Sequence, residues 1–135
     1  MTMKHLVAGG LRLEYLDYPA HRPGLPTILL LHEGLGCIAM WRHFPERVAA
    51  VTGCRVIVWS RAGYGHSQPY AEARTPRYIH REALEALPAL LPETAQALAS
   101  NKSGALRRML VQGLRNTDAR VAADEDRSII FHVAH

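Results

Sequence analysis

Polar and apolar residues alternate at the start of the chain. Met3–Val7 and Leu11–Tyr18 flank Gly9-Gly10, and in the second segment Leu11, Leu13 and Tyr15 are interleaved with Arg12, Glu14 and Leu16. A period of two around a Gly-Gly turn predicts a β-hairpin. The stretch Pro19 to Pro26 carries three prolines and Gly24, so it reads as a loop. Thr27–Leu31 and Arg55–Trp59 are short apolar runs between turn signals, the pattern of strands buried on both faces of a parallel sheet. Between them Trp41, Phe44, Val48 and Val51 recur at a helical period, which predicts a helix from Trp41 to Val51. Pro45 is tolerable only near its first turn, and Gly53 is placed to end it. Strand, helix, strand in this order is a βαβ unit.

After a Gly-rich turn at Gly63–Gly65, Tyr78 to Leu91 reads as a helix with Leu84, Leu87, Leu90 and Leu91 on its apolar face. Pro88 should kink or shorten it. Thr94–Leu98 and Leu106–Leu114 read as helical pieces around a turn at Asn101–Gly104. Ile129–Val133 reads as a strand without an identifiable partner. The pattern thus divides the chain into a well-patterned 1–92 and a divergent, partly helical 93–135.

Composition narrows the classes. The chain has 135 residues, 48% hydrophobic and 21% charged, which predicts one globular domain and excludes a disordered chain. The longest aliphatic block, Ile28–Leu31, is far too short to cross a membrane, and the N-terminus lacks the apolar core of a secretory signal. Two cysteines, Cys37 and Cys54, form neither a disulfide framework nor a metal-ligand pattern, so a cytoplasmic setting is expected. The net charge of +4 is spread thinly. Lys102, Arg107, Arg108, Arg115 and Arg120 are answered by Asp118 and by Asp124-Glu125-Asp126. No aromatic residues are interleaved with those arginines, so nucleic-acid binding is not expected.

The informative motif follows the first buried strand: His32-Glu33-Gly34-Leu35-Gly36. A Gly-rich loop between a strand and a helix exposes backbone N–H groups to an anion. A second, Ser60-Arg61-Ala62-Gly63-Tyr64-Gly65-His66-Ser67, follows the next strand. Together with Leu29–Gly36, Met40-Trp41-Arg42 and Phe44-Pro45, this resembles the N-terminal part of a bacterial α/β-hydrolase over residues 1–92. Members of that superfamily often carry His-Gly or His-Glu-Gly-x-Gly after the third strand and Arg-x-Gly-x-Gly-x-Ser after the fourth.

The resemblance implies an α/β fold: an incomplete hydrolase-like sheet, built of the hairpin and the parallel βαβ unit, with a poorly patterned tail. It also implies that the backbone N–H of Gly34 or Leu35 contributes to an oxyanion hole. His32, Glu33 and Gly36 would shape that loop. The family's nucleophile sits in a G-x-S-x-G elbow farther on, with the acid and histidine after it. No G-x-S-x-G occurs in this sequence. In the nearest segment, Leu110 to Thr117, Arg115 stands where the serine belongs. Ser103, Asp124 and His132 occur in the right order, but too close together to supply the separate strands of a triad.

Other readings resolve toward ordinary roles. His32 at a strand end reads as a backbone-bonded loop residue, rather than a base or metal ligand. His66 and Ser67 read as turn residues, and Cys37 as a small packed thiol. Asp124-Glu125-Asp126 with His132 and His135 matches no established metal spacing. Trp41, Phe44 and Trp59 read as core packing. Gly34-Leu35-Gly36-Cys37-Ile38-Ala39 also satisfies a dinucleotide fingerprint, with Arg61 as the residue for an NADP 2′-phosphate. The intervening His32-Glu33 and the preceding hairpin argue against it.

The expectation is a hydrolase-family chain of the ester-, lactone- or amide-cleaving kind that keeps the oxyanion loop, lacks the triad, and is inactive alone. No cofactor is expected. A small ester- or carbonyl-type ligand is the expected partner. Loss of the family pattern after Leu91 suggests a truncated or frame-shifted form, marginally stable and prone to self-association through an uncovered sheet edge. The competing expectation is a small non-catalytic binding or interaction module whose tail covers that edge.

Overall fold

A computed structural model describes residues 2–32, 36–73, 75, 77–100, 104–118 and 129–133. The strands are β1 (Lys4–Ala8), β2 (Leu11–Tyr18), β3 (Thr27–Leu31), β4 (Arg55–Trp59) and β5 (Ile129–Val133). They form one mixed five-stranded sheet in the order β1-β2-β4-β3-β5. β1 and β2 make the hairpin, with Leu6 opposite Leu13. β2 runs antiparallel to β4, with Tyr15 opposite Trp59. β3 and β4 are parallel, with Leu29 opposite Ile57.

Side chains alternate across this sheet because the strand period is two. Leu13, Leu29, Leu31, Ile57 and Trp59 share one core, under the helices that follow Tyr78. Ile28, Leu30, Val56 and Val58 share the other, under α1 (Phe44–Thr52). Both faces are covered, which is why β3 and the apolar part of β4 read as unbroken apolar runs.

α1 begins later than its apolar period indicates. Ile38–Trp41 is a separate 3-10 turn, and Arg42 at φ 50° separates it from α1. The reason is Pro45, which lacks an N–H and fits only the first turn, where it sits. Gly53 closes α1 in the left-handed conformation at φ 73°, its N–H donating to the Ala49 carbonyl at 2.9 Å.

α2 (Tyr78–Arg81) runs through a π-turn at Glu82–Ala86 into α3 (Leu87–Leu90). Pro88 cannot donate to the carbonyl four residues back, and its ring crowds that carbonyl. The widened turn just before Pro88 accommodates both demands, so the helix expected over Tyr78 to Leu91 runs on to Leu90 through a local distortion. α4 (Pro92–Ser100) and α5 (Ala105–Asp118) follow. Leu110, Val111 and Leu114 of α5 belong to the same core as Leu29 and Trp59.

β5 does have a partner. It pairs antiparallel with β3, Ile129 opposite Leu31 and Val133 opposite Thr27. Period and composition marked it as a strand but carried no information about which edge it would take. Among the described residues no helix is long and apolar enough to cross a membrane.

Candidate functional site

Because β3 and β4 are parallel neighbours, the segments that follow them leave the sheet at the same edge. In open α/β sheets that carboxyl edge is where ligands bind. The first segment starts at His32. Glu33, Gly34 and Leu35 lie outside the described residues, so the expected oxyanion N–H groups do too. His32 and Gly36 are buried, and Cys37, half-buried, leads into the Ile38–Trp41 turn.

The two segments are tied to each other through the protein interior. The Arg61 backbone N–H donates to His32 Nε2 at 2.9 Å. An accepting Nε2 places the proton of a neutral His32 ring on Nδ1. The Ile38 N–H donates to Ser60 Oγ at 3.0 Å. Tyr64 packs edge-on against the His32 ring, 5.2 Å between centroids. His32 therefore bonds to the backbone of the other segment, across the sheet edge.

Beneath Ser60–Ser67 lies a carboxylate that sequence reasoning left on the polar side of the hairpin. Glu14 is only 2% exposed. Its Oε1 accepts from Ser60 Oγ at 2.6 Å and from the His66 N–H at 3.1 Å. Its Oε2 lies 3.2 Å from His66 Nδ1, while most of the His66 ring faces water. Ser67 Oγ accepts from the Glu14 N–H at 2.9 Å and donates to the Ser60 carbonyl. Burial by itself pushes the Glu14 carboxyl up. The Ser60 hydroxyl, the His66 N–H and the His66 ring outweigh it, so the group is held below its ordinary value of 4.5. At neutral pH it is a carboxylate surrounded by donors, which is how a charge is tolerated inside a fold.

Gly65 is required by this arrangement. It has φ 53°, and a Cβ there would collide with Glu14 Oε1 and come within 2.7 Å of Ser60 Oγ. A signal for Glu14 was present in the strand: Leu16 and Tyr18, on the same face, pack into the α1 core. Glu14 is in line with them, but so is the exposed Arg12, so the pattern puts Glu14 near the core without fixing its burial.

On the opposite face Arg61 and Glu82 form a second buried pair. Their side chains are 1% and 2% exposed, with the guanidinium NH1 3.1 Å from Glu82 Oε2. The guanidinium also lies 5.6 Å from the centre of the Tyr64 ring. Arg61 therefore anchors the segment to the π-turn inside the protein. It is not at the surface, where a nucleotide 2′-phosphate would meet it, and this removes the residue the dinucleotide reading needed.

None of the described serines is an exposed, base-activated nucleophile. Ser60 and Ser67 are buried and engaged with Glu14 and the backbone. Ser100, on α4, is exposed and donates to the Gln96 carbonyl at 3.1 Å. Ser103, Asp124, Glu125, Asp126 and His135 lie outside the described residues, and of His132 only its pairing opposite Ile28 is described. Cys37 and Cys54 are free thiols. Compared with protein-family models, with curated proteins and with solved structures, the chain matches none.

Proposed function

We propose that this chain is an α/β-hydrolase-like scaffold that holds a small ester- or carbonyl-type ligand at the carboxyl edge of β3 and β4 without forming a covalent intermediate. The observation that carries this reading is the cross-bracing of the two motif segments, Arg61 N–H to His32 and Ile38 N–H to Ser60. Such bracing favours a preformed site, because rigid supports keep backbone donors aimed at one place. The resemblance supplies the ligand class, with Gly34 or Leu35 as the N–H donor to its oxygen. Serine attack, histidine proton transfer and an orienting acid would all have to come from groups other than the buried Ser60 and Ser67.

Two measurements on the full chain test this together. Titration with methyl butyrate, followed by amide chemical shifts, should move residues 32–37 and 60–66 saturably. Incubation with a fluorophosphonate should leave the intact mass unchanged. A one-to-one phosphonyl adduct on a serine would establish covalent chemistry and overturn the proposal, as would the absence of any saturable shift.

A second reading, a stand-alone binding module, is favoured by β5. Its five-residue pairing covers the outer edge of β3, which would otherwise be bare. A sharp two-state melt of a monomer supports it. Self-association and a molten, dye-binding state would count against it. Either reading fits a reducing, cytoplasmic setting for the free thiols Cys37 and Cys54.

A further inference from the structure

Where the Ile38–Trp41 turn meets the start of α1, the surface carries a cluster that the two motif segments do not use. A recess of about 260 Å³ is walled by Trp41, Arg42, His43, Phe44 and Arg47. Trp41 is half-buried against the core of Ile28, Leu30, Val56 and Val58. It stacks on Phe44, with 5.7 Å between ring centres and 20° between ring planes. Phe44 keeps 44% of its surface exposed. The recess therefore has an aromatic side that is anchored at Trp41 and open at Phe44.

The charges around it are unbalanced. Arg42 and Arg47 are exposed, and neither guanidinium has a hydrogen bond or ion pair among the described residues. Glu46 is the only carboxylate between Cys37 and Gly53. It lies 3.7 Å from His43 Nδ1 and is not in the wall. Among the described residues the wall thus brings together two guanidiniums, an imidazole and no carboxylate. A single free arginine on a surface is ordinary. Two beside one aromatic platform match an anion attached to a ring, because guanidiniums grip its oxygens while the ring stacks. Two fixed positive charges favour a dianion over a single negative charge.

The backbone adds a separate observation. Arg42 is held at φ 50° and ψ −121°, the one non-glycine at positive φ among the described residues. Glycine would sit there without strain, yet the position carries a guanidinium. Strained positions of this kind cluster at ligand clamps.

We propose that this recess binds a small aromatic phosphate monoester. The ring stacks on Phe44 beside Trp41, and Arg42 and Arg47 share the phosphate oxygens, with His43 as a further donor. None of these residues belongs to 32–37 or 60–66, so the inference stands apart from the function assigned to the β3 and β4 edge.

The test follows the two indole N–H resonances of the full chain during titration with phenyl phosphate. The Trp41 signal should shift saturably, while that of Trp59, buried in the other core, stays in place. Inorganic phosphate, which lacks the ring, and benzoate, which carries one charge, should each bind about tenfold more weakly. Arg47→Ala should weaken phenyl phosphate about tenfold. Arg42→Gly should do the same while melting no lower than wild type, since it also relieves the backbone. Three results would each overturn the proposal. One is no saturable shift at Trp41. Another is equal binding of phenyl phosphate and either comparator. The third is affinity unchanged in both arginine variants.

Discussion

Glu14 and Glu82 approach the Ser60–Ser67 segment from opposite faces of the sheet, and both are almost wholly buried. Glu82 meets a full opposite charge, the Arg61 guanidinium. Glu14 meets a hydroxyl, a backbone N–H and an imidazole. The difference teaches how each fails. An ion pair confines its balance to two partners, and losing either leaves a naked charge indoors. A carboxylate held by several donors loses them one at a time, and protonation alone weakens the set.

The largest effect expected from this contrast is Arg61→Met, which leaves Glu82 buried without its cation and should cost about 3–5 kcal/mol. Adding Glu82→Leu should recover most of that loss, because the second buried charge is then gone. Urea unfolding midpoints of the two variants check this directly.

Gly65→Ala should come next, at about 2–4 kcal/mol. It combines a left-handed backbone with a Cβ placed against Glu14 and Ser60. Ser60→Ala in the same background should cost less than it does alone, since the bond it removes is already disturbed.

Glu14→Gln should cost about 1–2 kcal/mol at neutral pH, since an acceptor for Ser60 remains while the charge is lost. Its signature is in acid. Glu14 titrates below 4.5 in the folded chain, so its stabilisation is complete above that value. It is lost as pH falls through the folded pKa. The variant should therefore show a shallower loss of stability than wild type below pH 4.5 in pH-dependent thermal melts. Smallest of all should be Asp17→Asn, at the far end of the β2–β4 pairing. That bidentate pair with Arg55, at 2.9 and 3.0 Å, is partly exposed, and its loss should cost about 1 kcal/mol or less.

The sheet was legible where period and burial agreed. Thr27–Leu31 and Arg55–Trp59 have the bounds their apolar runs indicate, because both faces are covered and every position is apolar or paired. The hairpin shifts by one residue at β1, an outer strand with mostly exposed side chains. Pro45 set the true start of α1, and Pro88 produced a π-turn because tertiary packing of Leu87, Leu90 and Leu91 outweighed the local break. The partner of β5 was invisible, since pairing is a property of two distant segments.

At the site, the two Gly-rich motifs were visible as sequence, but what joins them was not. Glu14 lies 46 residues before Ser60, and Glu82 lies 21 after Arg61. Alternation placed Glu14 with Arg12 as polar, although Leu16 and Tyr18 on that face are packed against the core.

The central claim is that the segments after β3 and β4 are braced from within as one unit. Native-state amide exchange measures it at four donors: Glu14, Ile38, Arg61 and His66. These amides should open with free energies within about 1 kcal/mol of the β3 and β4 ladder amides, and Glu14→Ala, which removes the oxygen that accepts the His66 N–H, should release His66 while leaving Arg61 protected. Exchange of all four at the rate of exposed loop amides would contradict the account.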